Sequence, residues 1–77
     1  MNNKLYLYNA DRKRKFSIIS TPKISLLENL GIREGTTVSV QSRHPWGGPV
    51  LLRVEDAYSL AVDKDVAKQI EVREVAS

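Results

Sequence analysis

TTVSVQSRHPWGGPVLLRVEDAYSLAV, residues 36–62, decides the fold. Val38 and Val40 share one side of the chain, with Thr37, Ser39 and Gln41 opposite. Val50, Leu52 and Val54 repeat the interval of two, and Tyr58, Leu60 and Val62 repeat it again. That interval is the side-chain period of a strand with one buried face. Arg43 to Pro49 carries Pro45, Gly47, Gly48 and Pro49, so it is a turn, and Glu55-Asp56 makes a second. The stretch therefore predicts three strands in a meander.

Downstream, Asp63 to Gln69 suits one helical turn capped by Asp63, and Ile70, Val72 and Val75 suit a closing strand. Glu74 to Ser77 is expected to fray. Upstream, Lys4 to Tyr8 alternates, with Leu5 and Leu7 on one face and Tyr6 and Tyr8 on the other, which predicts a strand. Asn9 to Arg14 is a polar loop. Phe16, Ile18 and Ile19 mark a strand over 15–20, which Pro22 ends because proline lacks a ladder donor. Ile24, Leu27 and Leu30 then recur every third residue, with Leu26 beside them. This predicts a short helix whose stripe faces the core and whose outer face carries Glu28 and Asn29. Either Thr21, with Pro22 at the first helical position, or the Ser25-x-x-Glu28 capping box starts it. Gly31 suits its left-handed C-terminal cap.

About five short strands at regular spacing predict an all-β barrel or sandwich with one inserted helix. The chain has 77 residues and no cysteine. It is expected to form a single domain, residues 1–77 with a core over about 5–75, held by apolar packing without disulfides. A closed barrel suits it best, because closure removes exposed strand edges. No apolar run approaches a membrane span of ~20 residues, and Met1-Asn2-Asn3-Lys4 leads into no secretory signal.

The net charge of +3 is uneven. Residues 1–23 set six basic side chains against Asp11 alone, for +5, while residues 24–77 are net −2. The excess lies in Arg12-Lys13-Arg14-Lys15. That run suits either phosphate contacts of a nucleic acid or lipid head group, or a solvated turn. The acidic balance of the remainder speaks against nucleic acid. Catalytic chemistry finds no constellation. His44 is the sole histidine, no nucleophile motif accompanies it, and Gly47-Gly48 lacks the spacing of a phosphate loop. Glu55/Asp56 and Asp63/Asp65 serve turns and caps, so no tight transition-metal site and no cofactor are expected. Trp46 either packs over the end of the barrel or stands exposed as an anchor for a partner.

Leu26 to Val38, read Leu-Leu-Glu-Asn-Leu-Gly-Ile-Arg-Glu-Gly-Thr-Thr-Val, resembles the hallmark of the ferrous iron transport protein A (FeoA) family. That hallmark is a short Leu-rich helix ending in Leu-Gly-Leu/Ile, then a Pro-Gly-like turn into a strand. Pro45 to Pro49 is similar to the family's Pro-x-Gly-Gly/Asp-Pro turn. Leu60-Ala61-Val62, the segment Asp63 to Gln69 and Ile70-Glu71-Val72 are similar to its closing elements. The resemblance runs over residues 16–73. Three departures stand out: Asn9 to Arg12 lacks a Pro-Gly turn, Glu34 replaces a common proline, and Asp56 sits where a turn glycine is frequent.

The resemblance implies an SH3-like barrel and a cytosolic, non-enzymatic accessory of a FeoB-like membrane ferrous-iron transporter. Related domains end iron-dependent repressors, which keeps a nucleic-acid or repressor-associated module using residues 12–15 as the alternative. Glu28, Asn29, Arg43, His44 and Trp46 are the expected partner contacts. Gly31, Gly35, Gly47 and Gly48 are the expected structural turns. An exposed Trp46 and sheet edges leave weak self-association open.

Overall fold

The computed structural model describes residues 4–44 and 46–75. Its elements in chain order are β1 (Leu5–Tyr6), a 3-10 turn (Leu7–Asn9), β2 (Phe16–Ser20), α1 (Ser25–Asn29), β3 (Thr37–Ser42), β4 (Val50–Val54), β5 (Tyr58–Val62), α2 (Lys64–Ala67) and β6 (Glu71–Glu74). The six strands form one antiparallel sheet in the order β1-β6-β2-β3-β4-β5.

The central meander follows the alternation of its residues. Val38 and Val40 of β3, Val50, Leu52 and Val54 of β4, and Val62 of β5 all point into one core. Phe16 and Ile18 of β2 and Val72 of β6 join them from the other side. A flat sheet of six strands would spread about 24 Å across and stay thin. This molecule measures 28 × 28 × 25 Å, so its sheet wraps around that core. Two irregularities help the curl. The register shifts between Ile18 and Ser20 against β6, and between Val40 and Ser42 against β4. Extra residues of this kind bend and twist the strand that carries them. The result is a small SH3-like barrel whose end strands, β1 and β5, do not pair with each other.

The first predicted strand is cut short. Leu7 abandons the ladder after its N–H bonds the Ile70 carbonyl at 2.8 Å, and the chain coils through Tyr8 to a fully buried Ala10. The helix is also shorter than its apparent stripe. Ile24 precedes it in extended backbone and is 42% exposed, while Leu26 is 62% exposed. Leu27 and, beyond the helix, Ile32 supply the burial instead. The expectation of an Ile24/Leu27/Leu30 core stripe is thus corrected: five helical residues are too few to carry a stripe over 24–30. Neither predicted N-terminal cap forms, because Ile24 occupies the cap position without a side-chain bond. Asp63 does sit at the N-terminal cap of α2, but its carboxylate caps nothing.

Gly31, Gly35, Gly47 and Gly48 all take positive φ. Gly31, at +92°, also lies against the Tyr58 ring, and a β-carbon there would collide with the hydroxyl. That hydroxyl donates to the Leu30 carbonyl at 2.5 Å, and Thr36 Oγ1 donates to the Gly31 carbonyl at 3.0 Å. Together they satisfy acceptors left free where α1 stops. The expected fraying of the C-terminus is corrected at its start. Glu74 pairs with Arg14 at 2.7 Å, and the Val75 N–H bonds the Lys15 carbonyl at 2.9 Å. Ala76 and Ser77, like Met1 to Asn3 and Pro45, lie outside the described residues.

Candidate functional site

The turn between β3 and β4 exposes His44, Trp46 and Gly48 to solvent. Gly47 and Gly48 both hold φ near +97°, a backbone that residues with a β-carbon rarely adopt. The Gly47 N–H closes the turn on the His44 carbonyl at 3.1 Å. The turn carries Trp46 at its tip, 91% exposed. Of the two readings of Trp46, the structure selects exposure. Lys64 of α2 lies against Gly47, so this turn meets the helix that precedes the last strand.

Arg43 anchors the base of the turn. Its Nη1 donates to the Tyr8 carbonyl at 2.6 Å and to the Ala10 carbonyl at 2.7 Å. One guanidinium therefore holds the 3-10 segment that replaced the end of the predicted first strand. Arg43 is half-buried, His44 is exposed, and between them and Tyr8, Asn9 and Arg12 lies an open cleft of about 400 Å³. Lys68 Nζ stands 5.1 Å from the centre of the Tyr8 ring, a cation–π distance. Tyr8, Asn9, Lys64 and Lys68 were not legible as site residues. The one sequence signal was the spacing of Lys64 and Lys68, four apart on a helical turn and so on one face.

Glu28 and Asn29 are exposed on α1, beside Leu26 and a second cleft of about 440 Å³ that reaches Pro22, Ile24, Glu28, Ile32 and Arg33. They do not join the turn. In the β4–β5 ladder Val50 faces Val62 at the end next to the turn, and Val54 faces Tyr58 at the other. Tyr58 is the residue that reaches the end of α1. The four residue steps between Tyr58 and Val62 span about 13 Å. The expected contacts therefore fall into two groups at opposite ends of β5: Arg43, His44 and Trp46 at one, Glu28 and Asn29 at the other.

The basic run is likewise divided. Arg14 pairs with Glu74 at 2.7 Å, and Lys15 pairs with Asp56 at 2.5 Å. The hydrogen bond and charge of Lys15 hold the Asp56 carboxyl below the usual carboxylate range, with Arg53 adding a smaller pull. The Asp11 carboxylate accepts the Lys13 N–H at 2.9 Å and shapes the turn. Arg12 alone of the four faces the cleft. Among the described residues no three His, Cys, Asp or Glu side chains converge to hold a metal ion. Among them, too, no helix is long and apolar enough to cross a membrane. The turn and cleft set an exposed aromatic tip and a held guanidinium beside further cations.

Comparison with known proteins agrees with the fold. The sequence profile of the FeoA domain matches residues 14–74. The crystal structure of an iron uptake regulatory protein, FeoA, superposes with a TM-score of 0.81 at 23% identity, covering 96% of this chain and 100% of that one. A FeoA-like protein from Clostridium acetobutylicum superposes at 0.77 with 28% identity, over 100% of this chain and 93% of that one. A manganese-dependent transcriptional repressor reaches 0.83 at 11% identity, over 97% of this chain but 38% of its own, and shares the fold alone. Comparison with curated proteins returns no match in sequence.

Proposed function

The chain belongs to the FeoA domain family, and from that premise we propose that it is a non-enzymatic cytosolic accessory of ferrous-iron uptake. Its partner in this reading is a FeoB-like membrane transporter, engaged on the cytosolic side, with ferrous iron as the transporter's cargo. Family membership ties the chain to iron uptake, and the surface supports the rest. The observation that carries it is Trp46. A domain with one tryptophan would gain most by burying it, yet here a two-glycine turn holds it 91% exposed. Tryptophan is the residue most enriched at the energetic centres of protein interfaces.

The nucleic-acid alternative gains nothing comparable. Two of the four charges in residues 12–15 are paired within the domain. The likeness to the repressor covers 38% of that protein at 11% identity and reaches no further than fold.

Isothermal titration of the full chain with the transporter's cytosolic domain tests the proposal. Binding at micromolar to tens of micromolar concentration is expected. Trp46→Ala should weaken it at least tenfold, since loss of a central aromatic costs ~2 kcal/mol or more. The variant's melting temperature should stay unchanged, because exposed substitutions away from special features fall within about 0.5 kcal/mol. Equal affinity for Trp46→Ala and the parent chain would remove the turn from the interface. Absence of binding by the parent chain would remove the accessory reading.

A further inference from the structure

The cleft beside the Trp46 turn gathers cations that pair with no carboxylate among the described residues. Arg12 and Arg43 line it together with Asn9, Tyr8 and His44, and no carboxylate is among the lining residues. Lys68 stands over the Tyr8 ring, and Lys64 lies against Gly47 of the same turn. The two ion pairs of the described residues use Arg14 and Lys15, so Arg12, Arg43, Lys64 and Lys68 have no acidic partner among those residues. Asp11 is turned to the Lys13 N–H, and Asp63 and Asp65 flank Lys64 in sequence without pairing with it.

Arg43 makes this more than a basic patch. Two carbonyls hold its Nη1 at 2.6 and 2.7 Å, which fixes the guanidinium plane. Those bonds consume only Nη1. Among the described residues Nε and Nη2 have no acceptor, and they form the paired donors that match a carboxylate or a phosphate. Such a donor set loses little side-chain entropy when it binds, because its orientation is already fixed.

We propose that this cleft binds the carboxylates of an acidic segment of the partner protein, seated next to Trp46. The inference rests on the accessory reading above and names the chemistry of its contact. A segment fits better than a small free anion because the cations come from three places in the chain: the loop at Arg12, the turn at Arg43 and both ends of α2. One phosphate-sized group meets the Arg12–Arg43 pair alone. A strand of successive carboxylates meets the pair and the lysines, with Trp46 alongside for an apolar neighbour.

The test uses the isotopically labelled full chain and the blocked peptide Ac-Asp-Glu-Asp-Glu-NH2. Its amide analogue Ac-Asn-Gln-Asn-Gln-NH2 and inorganic phosphate form separate arms. The acidic peptide is expected to shift the signals of Asn9, Arg12, His44 and the Arg43 side-chain Nε–H. Its affinity should fall about tenfold or more between 20 and 200 mM salt, as exposed charges are screened. Arg12→Glu, at an exposed position, should weaken it a further tenfold or so with an unchanged melting temperature. No shift with the acidic peptide overturns the proposal, as does an equal response to the amide analogue. Phosphate binding as tightly as the peptide also overturns it, in favour of a small-anion site. Titration with the transporter's cytosolic domain separates the two readings. Equal binding of that domain by Arg12→Glu and the parent chain sinks the acidic-segment contact while the accessory reading stands. Loss of all binding by the parent chain sinks the accessory reading itself.

Discussion

Gly31→Ala should destabilise the protein and absorb the cost of a second substitution, Tyr58→Phe. The backbone at Gly31 holds φ at +92°, which costs a residue with a β-carbon roughly 1–2 kcal/mol. The added methyl also meets the Tyr58 hydroxyl, which then leaves its bond to the Leu30 carbonyl. That bond contributes about 0.5–1.5 kcal/mol. The sum is about 1.5–3.5 kcal/mol, or about 6–28 °C in melting temperature for a domain this size. Tyr58→Phe removes the hydroxyl alone and should cost about 1 kcal/mol in the parent chain. In the Gly31→Ala background it should cost close to nothing, because the bond is already lost and the ring carbon, 3.6 Å from the new methyl, fits without strain. Urea melts of the four chains of this cycle measure the coupling directly, with about 1 kcal/mol expected. Strictly additive costs would refute the reasoning, since they would mean that the hydroxyl and the methyl never compete.

Arg43→Ala should destabilise by about 2–4 kcal/mol, because it strips two charge-assisted bonds from the Tyr8 and Ala10 carbonyls, and hydrogen exchange should accelerate first over 7–10. A stability loss without faster exchange there would contradict the anchoring role. Glu55→Asn should raise stability by about 0.5–1 kcal/mol, because Glu55 sits at φ +55° in a tight hairpin turn where asparagine is at ease; thermal melts check it. Lys15→Gln should let the Asp56 carboxyl rise toward its ordinary value, read by side-chain carbon shifts in a pH titration. The sign follows from a folded value below the unfolded one. The pair's contribution is complete above the unfolded value and is lost as pH falls through the folded one, so the variant should show a smaller acid-dependent drop in stability. An Asp56 titration indifferent to Lys15 would assign the depression elsewhere.

The strands were legible because their residues alternate and their turns carry glycine, proline or paired acids. The period of two over 36–62 needed no partner to interpret. What escaped reading depended on distant residues. Leu5 to Tyr8 alternates as one strand, but it ends at Tyr6 because Leu7 meets the incoming Ile70 and Arg43, far along the chain, captures the next carbonyls. The helix stripe misled because a spacing of three over 24–30 presumes helical backbone at Ile24, where the chain is extended. The surface contacts were named one by one from chemistry, and their division between two ends of β5 follows only from register. The cleft drew Tyr8 and Asn9 from a segment that alternation had assigned to a strand and a loop. No local pattern marks a cavity whose walls lie that far apart in sequence.

The order β1-β6-β2 has a consequence for how the protein is made. β6, the last strand of the described residues, lies between the first two. Leu5 waits for Val72, and Ile18 waits for the same residue, across most of the chain. A ribosome delivers residues from the N-terminus onward, so the β2–β5 meander can form while β1 has nothing to pair with. The barrel is completed only when the final strand slots between its neighbours, a contact of large sequence separation and hence slow closure. A truncated product that stops before Glu71 thus leaves β1 unpaired and one side of β2 bare, two open edges where a complete chain has paired strands.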